Sequence, residues 1–155
     1  MSSFQESLVI GKKSEKIVLN RIKHKYPNAY IKDGYFKEYD IFIPEIDTSV
    51  EVKKDFKSQH TGNVVIEIQM NGKLSALSTT KADWWVFHLD DEEFIFIKPE
   101  QIRNMIHREK LNPVEFVGKG DFASKIAYLV KKNILFVYGN HLMIKKLFNN
   151  NYEIT

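Results

Sequence analysis

Residues 39–54 read YDIFIPEIDTSVEVKK: two short apolar runs flank a Pro-containing turn, and the second run carries charges within it. Side chains alternate faces along a strand, so Glu51 and Lys53 share one face while Val50 and Val52 share the other. The same period puts Asp40 with Phe42, opposite Tyr39, Ile41 and Ile43. If the runs pair as a hairpin, Asp40 lies opposite the Glu51–Lys53 end, within a residue of register. Two acids and an ammonium would then meet on a face otherwise built from Val, Ile and Phe. An unpaired charge beside such a run is costly to desolvate, so each should have a partner. A divalent metal held by both carboxylates is one such partner.

Before this hairpin, residues 3–26 have the period of one long helix closed by Pro27–Asn28. Its expected buried stripe is Phe4, Leu8, Gly11, Glu15, Val18, Ile22 and Tyr26, with Gly11 allowing close approach of a neighbour. Glu15, in the middle of that stripe, calls for a cation. The other side carries Lys12, Lys13, Lys16, Arg21, Lys23 and Lys25, either a solvated face or a phosphate-contacting ridge.

After the hairpin, residues 54–62 form a polar loop, and Asn63–Met70 (NVVIEIQM) is a strand ended by Asn71–Gly72. Glu67 and Gln69 share a face of it, and register decides whether that face meets the acids or solvent. Residues 74–82 are expected as a loop with one helical turn. Residues 83–89 and 93–98 make a second hairpin, and Pro99 opens a helix with Ile102, Met105 and Ile106 inward. Trp84 and Trp85 point to opposite faces, one of them to the core. Residues 113–117 read as a strand, 123–130 fit both helix and strand periods, and 134–148 are apolar and part helical. The Asn-rich tail from Asn149 is expected to fray. This order predicts a single α/β domain over residues 1–155, a mixed central β-sheet flanked by helices.

Composition narrows the chemistry. With no cysteine in 155 residues, thiolate zinc sites, Cys nucleophiles and disulfide frameworks are excluded, which fits an intracellular protein. No run is long and apolar enough for a signal peptide or a membrane span, so no membrane partner is expected. A net charge of +3 permits a nucleic-acid partner without requiring one. His60, His88 and His107 lack partners at metal spacing and read as ordinary residues. No Gly-rich phosphate loop or Ser-His-Asp order is present.

Asp40, ten intervening residues, then Glu51-Val52-Lys53 resembles the PD-(D/E)XK, or restriction-endonuclease-like, nuclease superfamily, whose members carry an acid and an acid-x-Lys on adjacent strands. The resemblance spans residues 3–88, with Glu15 as the helix acid. Residues 61–85, TGNVVIEIQMNGKLSALSTTKADWW, also look like phage and viral nucleases of this class, enzymes that act in a host cell. Tyr39 stands where the superfamily often has Pro, and residues beyond about 111 match nothing assignable.

The resemblance implies a restriction-endonuclease-like core and metal-assisted hydrolysis of a DNA phosphodiester. Mg²⁺, with Mn²⁺ as a substitute, would be held by Asp40, Glu51 and the Val52 carbonyl, with Glu15 as an outer-shell or second-metal ligand. Lys53 would orient water and offset charge on the phosphorane. Glu67 and Gln69 are additional site candidates, and Lys12, Lys13, Lys16, Lys54 and Lys81 are candidate DNA contacts. For Glu15 and Lys81 the plainer readings are a buried salt bridge and a surface lysine. The compact chain suits structure-directed cleavage of a junction, flap or end. A twofold homodimer through residues 134–148 would then present two sites to two strands. The alternatives are a non-catalytic nucleic-acid-binding module of the same fold, and a domain in which these charges only pair with one another.

Overall fold

The computed structural model describes residues 2–34, 37–117, 124–146 and 152–154. Helix α1 (Ser3–Lys23) opens on a capping box, in which the Ser2 hydroxyl accepts the Gln5 amide and the Gln5 side chain accepts the Ser2 amide. It ends at Lys23, three residues short of Tyr26, where the His24 and Lys25 amides turn to the carbonyls of Arg21 and Ile22, three residues back. Strands β1 (Tyr30–Ile31), β2 (Ile41–Ile43) and β3 (Thr48–Lys54) form an antiparallel meander, with β2 and β3 joined by a 3-10 turn at Pro44–Ile46. The expected hairpin is therefore present.

From β3 the chain runs through a one-turn helix, α2 (Ser58–Thr61), where a plain loop was expected. It continues into β4 (Asn63–Met70), β5 (Lys73–Leu74) and a 3-10 turn at Ala76–Ser78. It returns as β6 (Trp84–Asp90), parallel to β3 with Glu51 opposite Trp85 and Lys53 opposite Phe87. Strand β7 (Glu93–Ile97) completes the second hairpin, and α3 (Pro99–Arg108) buries Ile102 and Met105 as its period predicts. The remaining elements are β8 (Val114–Val117), β9 (Ser124–Lys131), α4 (Lys132–Tyr138), β10 (Asn140–Lys146) and β11 (Tyr152–Ile154). The strand period wins at β9 because β4 and β8 pair with it on both sides.

Six strands make the central mixed sheet, in the order β1-β2-β3-β6-β7-β10, and β11 extends its β10 edge. A second, antiparallel sheet has the order β5-β4-β9-β8, so the NVVIEIQM strand leaves the central sheet. One core fills the space between the sheets with Trp85, Phe87, Val64, Ile66 and Val130, closed by α3 and α4. The other lies under α1, where Val18 and Ile22 pack on Ile41, Ile43, Val50 and Val86. Strand β6 is buried at five successive positions, as expected for a strand covered on both faces.

The α1 stripe differs from expectation at two points. Leu8 is exposed, and nothing lies within 4 Å of a Cβ built on Gly11, so that glycine serves no close approach. The side chain of Phe4 lies outside the described residues. Gly139 instead holds the tight spot, since a Cβ there would meet Ile95 Cγ2 at 2.7 Å. The segment expected as a dimer contact is used in part by the chain's own fold, with Val137 left exposed. Leu135 is fully buried, Leu142 packs on the α1-side core, and β10 pairs with β7. Residues 147–151 fall outside the described residues, while Tyr152–Ile154 of the expected frayed tail pair with β10. Among the described residues no helix is long and apolar enough to cross a membrane.

Candidate functional site

The meander brings the motif residues to the point where β2 begins and β3 runs on beyond it. In the register of the hairpin Ile41 faces Val50, yet the Asp40 amide also donates to the Val50 carbonyl, at 2.9 Å. Two residues of one strand thus oppose one of the other, which is a β-bulge. The bulge breaks the alternation expected for this run. Tyr39 packs on Phe42 (ring centroids 5.8 Å apart) and on the core between the sheets, whereas Asp40 turns toward α1. The Asp40 carboxylate therefore does not share a face with Phe42, as simple alternation required. It reaches along the strand edge and accepts the Val52 amide at 2.7 Å. Because N–H and C=O of one residue point to the same side of a strand, the Val52 carbonyl opens onto this edge too.

Glu15 arrives from the helix side. Its carboxylate and that of Asp40 are bridged by Lys37, whose Nζ lies 3.1 Å from Glu15 and 3.4 Å from Asp40. All three side chains are at most one-fifth exposed. Burial, then the charge of Asp40, pushes the Glu15 carboxyl above its ordinary range, against the pull of Lys37. Burial works to lower the Lys37 ammonium, but its hydrogen bond to Glu15 and the two negative charges outweigh it, and its pKa is raised. The cation that Glu15 calls for is thus Lys37.

Glu51 and Lys53 do share a face, and they form an ion pair at 2.9 Å. The Thr80 hydroxyl donates to Glu51 at 2.9 Å while accepting the Trp85 indole N–H at 3.0 Å, and the Lys53 ammonium sits 4.9 Å over the Trp85 ring. Contrary to the hairpin pattern, the two acids therefore do not meet on one face, because the bulge turns Asp40 the other way. One acid–lysine cluster lies on the α1 side of Val52 and the other on the face toward the second sheet. Lys37 links them: with Glu51, Lys53, Glu67, Thr80 and Lys81 it lines a cleft of about 280 Å³. A larger cleft of about 640 Å³ shares Lys53, Glu67 and Ala76 with it and adds Lys54, Lys57 and Lys125. Asp55, in that wall, accepts the Val65 amide at 2.9 Å, and burial pushes its carboxyl up.

Glu67 is brought to both clefts, held by the Ser75 hydroxyl at 2.7 Å. Gln69 is not, because a register shift between Glu67 and Gln69 breaks their common face. Lys81 lines the smaller cleft and pairs with Glu38 in an exposed bridge at 3.4 Å, and Lys54 lies 4.3 Å over the Phe56 ring. Lys12, Lys13 and Lys16 are exposed on α1, outside both clefts. His88 is a core residue, with its Nδ1 2.6 Å from the Ser14 hydroxyl and its ring stacked on Phe94. Trp85 is buried and Trp84 half-buried, as their opposite faces require. Lys37 and Thr80 were missed by sequence reasoning. Neither lies in a periodic segment, and only the fold brings them to the acids.

The donor set is hard oxygen: three carboxylates and a backbone carbonyl, which suits Mg²⁺ or Mn²⁺ by chemistry. Among the described residues no three His, Asp or Glu side chains are grouped closely enough to hold a metal as they stand, and Lys37 and Lys53 are paired with the carboxylates. No family model matches the chain, and neither a curated protein nor a solved structure matches it.

Proposed function

We propose that this chain is a metal-dependent nuclease that hydrolyses DNA phosphodiester bonds, directed by the shape of its substrate, such as a junction, flap or end. The observation that carries this reading is the pair of acid–lysine clusters flanking Val52, drawn from a helix, a strand bulge and a neighbouring strand. A fold without use for these charges gains little by placing three acids and two lysines beside one strand edge, since buried pairs return little net stability. The antiparallel meander followed by a parallel strand beside β3 is compatible with a restriction-endonuclease-like core.

Asp40, at the strand edge beside the Val52 carbonyl, and Glu51, once released from Lys53, would hold Mg²⁺ or Mn²⁺ across that edge, with Glu15 behind Asp40. When bound, such an ion polarises a phosphate oxygen and makes water more acidic. Lys53, steadied over Trp85, orients the attacking water and offsets charge on the phosphorane. Thr80 holds Glu51 in place. Lys54 and Lys57, in the larger cleft and in no ion pair among the described residues, would meet a strand's phosphates, while Lys37, Lys53, Lys81 and Lys125 are each paired with an acid.

The test is cleavage of labelled single strand, duplex, flap and four-way junction by the purified chain. Cutting should require Mg²⁺ or Mn²⁺, stop with EDTA, and fall by at least about a hundredfold in Asp40→Asn and Glu51→Gln. Equal activity of wild type and either variant refutes the assignment. One observation favours a second reading, a non-catalytic nucleic-acid-binding module: Lys37 and Lys53 already neutralise the acids. That module would bind DNA in a salt-sensitive, metal-independent way and cut none.

A further inference from the structure

A cleft of about 340 Å³ lies on the α1 side of the central sheet, near the start of β3, and shares no residue with the clefts around Glu51. Its volume is at the lower end of the about 300–1,000 Å³ usual for small-molecule sites. Three rings line it, from Tyr26, Trp84 and Phe96, and among the described residues none of the three stacks on another. Arg21 and Lys25 supply the charge, and no carboxylate lines the cleft. Neither cation is in an ion pair among the described residues, and Lys25 only overlies the Tyr26 ring at 5.4 Å. The Arg21 Nε is buried without a hydrogen-bond partner.

A buried donor left unmade is expensive and rare, so the Arg21 side chain gains by turning its guanidinium toward an acceptor in the cleft. Arg21 and Lys25, in no ion pair among the described residues and with no carboxylate in the lining, make an anion the acceptor that suits this cleft. Its body is apolar, set against five aliphatic side chains (Ile22, Ile43, Ile46, Val50 and Leu142) and three rings that a flat base can lie along. Thr48 and Asn140 offer hydrogen bonds to polar ring edges.

We propose that this cleft binds a nucleotide, its base against Trp84 and Phe96 and its phosphate on Arg21 and Lys25. The nucleotide is either a free mononucleotide or the 5′-phosphorylated end of a strand. The site stands apart from the proposed nuclease chemistry and needs no metal.

The test is titration of the full chain with deoxyadenosine monophosphate in EDTA, followed by tryptophan fluorescence and calorimetry. Binding should be saturable, and the unphosphorylated nucleoside and inorganic phosphate should each bind at least about tenfold more weakly, as loss of one anchoring contact implies. Arg21→Met should weaken the nucleotide at least about tenfold, with Arg21→Lys retaining part of the affinity. Both variants are compared at equal folded fraction, read by circular dichroism, and Trp84→Phe should abolish the fluorescence response. A 5′-phosphorylated hexanucleotide that competes with the mononucleotide identifies a strand end as the source, and failure to compete identifies the free nucleotide. Absence of saturable binding overturns the proposal, as do octanoate binding as tightly as the nucleotide and unchanged affinity in Arg21→Met. EDTA silences cleavage, so failure here leaves the nuclease reading standing, and failure of that reading leaves this one.

Discussion

Lys37→Met removes the ammonium that Glu15 and Asp40 share and leaves two carboxylates facing each other with 13% and 16% of their side chains exposed. Removing one partner of a fully buried pair costs about 3–5 kcal/mol, and the remaining exposure here reduces that to about 2–3 kcal/mol. Asp40→Asn in the same chain should recover at least half of the loss, because an amide oxygen can still accept the Val52 amide while the repulsion disappears. If the acids are there to hold a metal, Mg²⁺ should rescue the variant more than wild type. With free metal at about ten times its dissociation constant, the differential gain approaches about 1.4 kcal/mol. Urea unfolding at neutral pH, in EDTA and in Mg²⁺, reads all of this from the transition midpoints. A Lys37→Met chain within about 0.5 kcal/mol of wild type in EDTA would show that the bridge is energetically idle. Equal stabilisation of both chains by Mg²⁺ would show that the metal does not compete with Lys37.

Gly139→Ala should cost about 1–3 kcal/mol by thermal or urea unfolding, since its Cβ would meet Ile95 at 2.7 Å and Ile97 at 3.2 Å. Gly11→Ala should stabilise α1 by about 0.5–1 kcal/mol, as helix propensity is gained with nothing within 4 Å to clash. Burial holds His88 below its ordinary pKa of 6.5, so the unfolded chain takes up its proton first. Stability should therefore fall as the pH drops from 6.5 toward the depressed folded value. That slope should flatten in the Ser14→Ala/His88→Phe double variant, measured as unfolding midpoints across the interval.

The two hairpins, the long helix and the inward face of α3 were legible in the sequence because each follows from local periodicity. Glu51 and Lys53 were placed on one face by the same reasoning, and they pair there. Asp40 escaped it because a bulge at one residue reverses the parity, and a bulge depends on the partner strand rather than on the strand's own pattern. NVVIEIQM was rightly read as a strand, but which sheet it joins is decided by β9, some sixty residues away. Lys37 and Thr80 illustrate the same limit for the candidate site. A lone lysine and a lone threonine in irregular segments carry no period, and only long-range packing gives them partners. Residues 134–146 show the converse: their apolarity was plain, and Leu135 and Leu142 use it within the fold while Val137 stays exposed.

The proposed nuclease chemistry requires a divalent cation between the two acid clusters. Manganese titration followed by paramagnetic broadening of backbone amides tests it without relying on turnover. Wild type should lose signal first around Glu15, Asp40, Glu51 and Val52 while the Arg21–Trp84 cleft is spared, and Asp40→Asn with Glu51→Gln should abolish that localised loss. Broadening spread evenly over exposed carboxylates, or identical in wild type and the double variant, would contradict it.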